Sequence, residues 1–367
     1  MSTFSIVNIE SISGGAPNFS QGLTVAGVDL TSLLTMTEYY SQVSEPLSPS
    51  NGAVWWTGVQ AYQYIGSAWR ILGITPPPIF YGDKAVFFGG QLNGTPTITD
   101  VIDYITISTA GNAVTIGNLL TTLNQSAACS NGSKGITAGG VAVSGFSRTN
   151  AISYITFANL GNATDFGDLT VTRDLLAACS DGVRGVVAGG DTDAPSNVMD
   201  YITIATIGNA IDFGDLLTGR KNHAGCSNLT RGVFGGGTTT ATTDTMEYIT
   251  IATTGNAASF GNLTSAVFNL AACANETRGI FSGGWLINVI HYITIDTLGN
   301  SIDFGDLLAT TAYHTSAANG TRAIFAGGYD GAYTNTISYV TIATLSNATD
   351  FGDLTAARLT PSAASGS

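Results

Sequence analysis

Three histidines, four cysteines and a recurring pair of aspartates are the residues of this chain whose types could do chemistry. His223 and His314 each stand three residues before a matching small position, Cys226 and Ala317, and His291 stands apart from both. Imidazoles spaced this way read as packed or surface groups. Cys129, Cys179, Cys226 and Cys273 lie 50, 47 and 47 residues apart, without a Cys-x-x-Cys pair. That spacing matches neither a zinc ribbon nor a redox motif, and it points to packed thiols. The words Asp165–Asp168, Asp212–Asp215, Asp303–Asp306 and Asp350–Asp353 read Asp-Phe-Gly-Asp, with two carboxylates three residues apart. Calcium loops need more oxygen ligands in a closer run. No His-Glu-x-x-His, phosphate-binding Gly-Lys loop or Gly-x-Ser-x-Gly elbow occurs. The expectation is a protein with no catalytic residue, no metal and no cofactor.

Basic residues are scarce, 12 against 25 acidic ones, yet six of them share one register: Lys84, Lys134, Arg184, Arg231, Arg278 and Arg322. Such regularity predicts a structural duty. The acidic residues that recur beside them are Asp168, Asp215, Asp306 and Asp353, with Asn118 and Asn262 in the matching places. A cation held between a carboxylate and nearby carbonyls is the expected arrangement.

Both sets belong to a repeat. Gly-Gly pairs end at Gly90, Gly140, Gly190, Gly237, Gly284 and Gly328, in steps of 50, 50, 47, 47 and 44, and a tyrosine-led strand follows each at Tyr104, Tyr154, Tyr201, Tyr248, Tyr292 and Tyr339. Each unit offers four strands. They are a small-residue strand around the cysteines, the strand that stops at Gly-Gly, the alternating Tyr-Ile-Thr-Ile strand, and the Asp-Phe-Gly-Asp strand. Four strands in 44 to 50 residues match one blade of a β-propeller. The first Gly-Gly strand, from Lys84, has no small-residue strand before it, whereas Pro361 to Ser367 supplies one at the other end. The expected fold is therefore all-β, a six-bladed propeller closed by the C-terminal strand. Its blades lie at about 121–170, 171–217, 218–264, 265–308, 309–355, and 356–367 joined to 81–120. A β-solenoid is the alternative, and it leaves the complementary ends unexplained.

Ahead of the repeats, residues 1–50 read as short β segments, an attachment region. Residues 51–80 form a small module with Trp55, Trp56 and Trp69, followed by the stiff Pro76-Pro77-Pro78 spacer. So few residues cannot build a large core, so these rings are expected to pack on a partner. No basic leader precedes Glu10 and no apolar run reaches membrane-spanning length, so neither a signal peptide nor membrane insertion is expected. A net charge of −13 excludes a nucleic-acid backbone as the main ligand.

The Gly-Gly pair followed by a tyrosine-led strand resembles kelch-like propellers over about 280 residues, with Phe166, Phe213, Phe260, Phe304 and Phe351 where those blades carry a late tryptophan. The words from Tyr201 to Leu216 resemble the repeat of tail-fibre-like virion proteins of tailed bacteriophages. The Ala53–Trp69 segment is similar to a module near the N-termini of such appendage proteins. The resemblance implies a structural protein located in the virion, in a tail or fibre apparatus. It would be attached to other virion proteins through residues 1–80 and would display the propeller, with self-association open. Loops after Gly-Gly vary while the strands do not, so Trp285, Tyr329 and Tyr333 are the expected recognition residues for a host-surface glycan or protein. The alternatives are a lectin or adhesin outside any virion, and a kelch-like propeller enzyme.

Overall fold

A computed structural model describes residues 82–93, 97–142 and 147–367, together with the backbone of six short strands between Thr24 and Ile71. The chain divides into two compact units, Met1–Pro77 and Pro78–Ser367.

In the first unit Thr24–Val25 pairs with Val28–Asp29. Tyr39–Ser41 runs parallel to Val54–Trp56, which continues antiparallel through Ala61–Ile65 to Ala68–Ile71. The backbones at Trp55, Trp56 and Trp69 thus share one four-stranded sheet. Their side chains, and the attachment role expected of them, lie outside the described residues.

The second unit holds six four-stranded antiparallel sheets and two small three-stranded ones, with no helix among the described residues. Sheet two runs Ala127–Ser130, Lys134–Ala138, Ala151–Thr156, Asn159–Asp168. Sheet three runs Ala177–Ser180, Arg184–Ala188, Val198–Thr203, Ile211–Asp215. Sheets four, five and six repeat the order from Ala224, Ala271 and Thr315. Sheet one takes its first strand, Ser362–Gly366, from the end of the chain and pairs it with Lys84–Phe88, followed by Val101–Thr106 and Val114–Asn118.

The Asp-Phe-Gly-Asp word has a backbone explanation. In sheet three Met199 faces Gly214 and Asp200 faces Asp212, so Phe213 is the extra residue of a bulge. A bulge re-aims the side chain it carries. Phe213 turns inward to 2% exposure and meets Tyr201 edge-on. Gly214 follows at φ 135°, where an added Cβ would stand 2.5 Å from the carbonyl oxygen of Gly255 in the next connection. The motif therefore seats an aromatic ring between sheets.

Apolar faces pack sheet against sheet. Val186, Met199 and Phe213 of sheet three meet Phe234, Ile249 and Ile251 of sheet four. Equivalent clusters join two to three, four to five and five to six, then six to one through Ile324 and Phe351 against Phe87 and Ile107, and one to two through Phe88 against Phe157. Three of the four cysteines fill a notch left by a glycine in the next sheet. A Cβ on Gly185, Gly232 or Gly279 would come within 2.7 Å of the sulfur of Cys129, Cys179 or Cys226.

A chain of backbone hydrogen bonds runs where the first strands begin. Leu175 donates to Gln125, Asn222 to Leu175, Asn269 to Asn222, Tyr313 to Asn269, Thr360 to Tyr313, and Gln125 to Thr360, at 2.7–3.3 Å. All six donors have φ between 49° and 60°. Left-handed backbone is costly for Leu, Tyr and above all β-branched Thr, on the order of 1 kcal/mol or more each. The repeated bond to the neighbouring sheet holds them there.

Candidate functional site

The six-fold basic register performs a structural task with partners other than the expected aspartates. Arg184 crosses to the next sheet and donates to the carbonyls of Ile251 and Ala252, while its guanidinium lies 4.8 Å from the ring centre of Tyr201. Lys84 donates to Phe157, Lys134 to Ile204 and Ala205, Arg231 to Ile295, Arg278 to Ile342, and Arg322 to Ile107 and Ser108. Five of the six stack over a tyrosine, where a cation gains from the ring face.

Asp168, Asp215, Asp306 and Asp353 form no ion pair with these cations among the described residues. Their backbone N–H groups donate to the Oδ1 atoms of Asn209, Asn256, Asn347 and Asn112 in the following sheet, as those of Asn118 and Asn262 do to Asn162 and Asn300. The register depends on the backbone amide, which explains why Asn and Asp both serve.

The buried ion pairs involve another register. Arg173, Arg220 and Arg358, each 1% exposed or less, pair with Asp200, Glu247 and Asp103. Arg173 also donates to the carbonyls of Val187, Gly189 and Val198, and Thr170 caps the other oxygen of Asp200. Burial pulls each guanidinium below its ordinary pKa, against the opposing pull of its carboxylate. In the other three sheets the matching positions are Leu123 with Ser153, Val267 with His291, and Thr311 with Ser338. Arginine and acid therefore appear together or not at all, a signal already present in the repeats.

The four thiols are free and buried, and desolvation pushes Cys129 and Cys273 up to about 12 and Cys179 and Cys226 upward as well. These are not thiolate nucleophiles at neutral pH. His223 and His314 wedge between sheets against Gly189 and Gly283. Burial holds His223 well below its usual value and His314 at about 4. His291 bonds Thr264 through Nδ1 at 2.8 Å. Among the described residues no group of three or more His, Cys, Asp or Glu is placed to hold a metal.

Trp285, Tyr329 and Tyr333 do come together, with two rings the repeat pattern did not single out, Phe268 and Tyr313. The planes of Trp285 and Tyr329 lie 4° apart with centroids 6.3 Å apart, and Phe268 lies at 23° and 6.3 Å on Trp285. Tyr313 meets Trp285 edge-on, as Tyr333 meets Tyr329. The loops after Gly284 and Gly328 carry Trp285 and Tyr329, and the connections into the first strands carry Phe268 and Tyr313. Backbone bonds tie each loop down: Trp285 donates to Phe268, and Tyr329 and Ala312 exchange bonds. Gly284, at φ 124°, has Val267 Cγ2 2.1 Å from where a Cβ would stand, so the turn that presents Trp285 needs glycine. Trp285 is 42% exposed and Leu286 78%. Phe268 and Tyr313 could have been found by asking which connections pass beneath each Gly-Gly loop.

Comparison with known proteins found no matching family model and no matching curated relative.

Proposed function

We propose that the second unit is a six-bladed, kelch-like β-propeller closed by the C-terminal strand, and that the chain is a structural component of a bacteriophage virion, in its tail or fibre apparatus. The propeller displays a rim for binding a host-surface glycan or protein, and residues 1–80 attach to other virion proteins. The observation that carries the propeller is the cycle of six backbone hydrogen bonds that leaves Gln125 and returns to it through Thr360. Equivalent sheets that each bond to the next, the sixth to the first, leave no free inner edge. The aromatic cluster supports a binding role: Trp285 is exposed, and Phe268, Tyr313, Tyr329 and Tyr333 beside it are half-buried. The virion assignment rests on the resemblance of the Tyr201–Leu216 words and of the Ala53–Trp69 segment to phage appendage proteins.

A lectin outside any virion is the second reading, favoured by the same aromatic cluster. Particles lacking this protein separate the two. Full-length protein is expected to restore it to those particles and their adsorption to host cells. Failure to associate with particles, with cell binding intact, would replace the virion reading by the lectin one.

A further inference from the structure

We infer that Phe268, Trp285, Tyr313, Tyr329 and Tyr333 form a binding site for a neutral pyranose sugar, an inference that rests on the reading of this rim as a recognition surface. Trp285 and Tyr329 are parallel to within 4°, yet their centroids are 6.3 Å apart. Rings in face contact sit about 3.5–4 Å apart, so at 6.3 Å these two are not in full face-to-face contact. That spacing leaves a terrace of part-open faces, with Phe268 stacked at 23° on Trp285 and with Tyr313 and Tyr333 set edge-on. A pyranose offers a flat C–H face to such a step and a circle of hydroxyls around it.

A backbone bond anchors the terrace, and one charged group stands among its rings. Asn269 lies in sequence beside Phe268, accepts a backbone bond from Tyr313 at 3.0 Å, and lines the cavity where the first strands begin. It is 5% exposed, and neither its Oδ1 nor its Nδ2 has a partner. Both atoms are closed off, so Asn269 positions Tyr313 through its backbone carbonyl and does not itself meet the ligand. Asp330, exposed between Tyr329 and Tyr333, adds a carboxylate acceptor for hydroxyls.

Charge and spacing select the ligand. The segments that carry the rings, 264–270, 284–289, 309–313 and 329–333, contain one charged residue, Asp330. Stacked nucleobases would need basic side chains for their phosphates, and sialic or uronic acids would meet Asp330 with like charge. A polyproline helix presents the same face every three residues, about 9 Å, which does not match rings 6.3 Å apart.

The test is calorimetry on the full-length protein with four probes: neutral tetrasaccharides of glucose, galactose and mannose, their uronic-acid or sialylated counterparts, a proline-rich peptide, and single-stranded DNA. A neutral tetrasaccharide is expected to bind. Trp285→Ala and Tyr329→Ala should each weaken it at least tenfold, and Trp285→Phe should weaken it less. Ile211→Ser, on an outer strand, should leave it unchanged. No binding by any neutral sugar, tighter binding of an acidic sugar, the peptide or DNA, or affinity unmoved by both alanine variants would overturn the inference. Adsorption of the same proteins to host cells separates this failure from that of the underlying reading. Cells bound without any neutral sugar would discard the sugar and keep the recognition rim. Neutral sugar bound without any association with particles would keep the sugar and discard the virion.

Discussion

Sheets three and five place different chemistry on the same scaffold positions. In sheet three the connection into the first strand carries Asp174 and the loop after Gly-Gly carries Asp191, and the two exchange backbone hydrogen bonds. Arg148 and Lys221, from the neighbouring sheets, reach in at 2.5–3.5 Å to Asp174, Asp191 and Asp193. In sheet five the two positions are Phe268 and Trp285, stacked on each other and on Tyr329 of sheet six. Below them, sheets three and four hold the buried pairs Arg173–Asp200 and Arg220–Glu247, whereas sheets five and six have none. At the first pair of positions charges satisfy each other, and at the second the residues are aromatic, with Trp285 exposed and its neighbours half-buried. The lesson is that the backbone ring fixes where a side chain stands and leaves its chemistry free, so neighbouring repeats can divide locking and binding between them.

The most severe way to break the comparison is to remove the ring beneath both pairs of positions. Deleting Pro361–Ser367 strips Ser362–Gly366 from Lys84–Phe88 and removes the bonds of Ser362 to Ser126 and of Ser367 to Gly132. The expected loss is on the order of the whole stability of a domain, about 5–15 kcal/mol, with aggregation through the bared edge. A soluble monomer that melts like the full chain would refute closure by this strand.

Next comes the buried charge. Arg173→Leu leaves Asp200 unpaired at 0% exposure, and a loss of about 3–5 kcal/mol is expected in denaturant melts. Arg173→Leu with Asp200→Ser copies what sheet two carries, Leu123 and Ser153, and should recover most of that loss. If the double variant were no better than the single one, the pair would be doing more than filling its slot.

Much of this architecture was legible in the residues. The order of the four strands follows from small residues, Gly-Gly stops and alternation, whereas the bulge at Phe213 emerges only from the register of the paired strands. For the basic register the carbonyl partners were expected in kind, though which carbonyls leaves no mark in a sequence, and the carboxylates of Asp168 and its equivalents offered a false partner. Arg173, Arg220 and Arg358 were visible in principle, through their co-occurrence with Asp200, Glu247 and Asp103. Three of the five rings stood out as loop aromatics. Phe268 and Tyr313 did not, since their place beside Trp285 depends on how a connection from one sheet passes under a loop of another.

Acid sharpens the comparison at a third level. His223 and His314 occupy the slot that Leu176 and Leu270 fill in sheets three and five. Both imidazoles are buried neutral, so a falling pH protonates the unfolded chain first. For His314, stability is expected to decline from about pH 6.5 to about pH 4, at up to ~1.4 kcal/mol per unit, and to level off below that. His314→Leu should flatten the slope of melting temperature against pH over this window. An unchanged slope would show that His314 does not set the acid sensitivity and leave it to His223 and the carboxylates.

The smallest effects should fall on the two pairs of positions themselves, where they can be compared directly. Arg148 is 26% exposed and Asp193 90% exposed, so water screens much of their attraction. Arg148→Ala is expected to cost no more than about 1 kcal/mol, and less in high salt. Trp285→Ala removes a ring that is 42% exposed and packs through its edges and one offset face, so a similar loss of about 1 kcal/mol is expected. Salt distinguishes them: raising it should shrink the Arg148 effect and leave that of Trp285 in place. Binding distinguishes them further, since adsorption to host cells should survive Arg148→Ala and fall sharply with Trp285→Ala. A drop in adsorption with Arg148→Ala and none with Trp285→Ala would move the recognition surface to the charged positions, and the aromatic residues would then be a lid over the ends of sheets five and six.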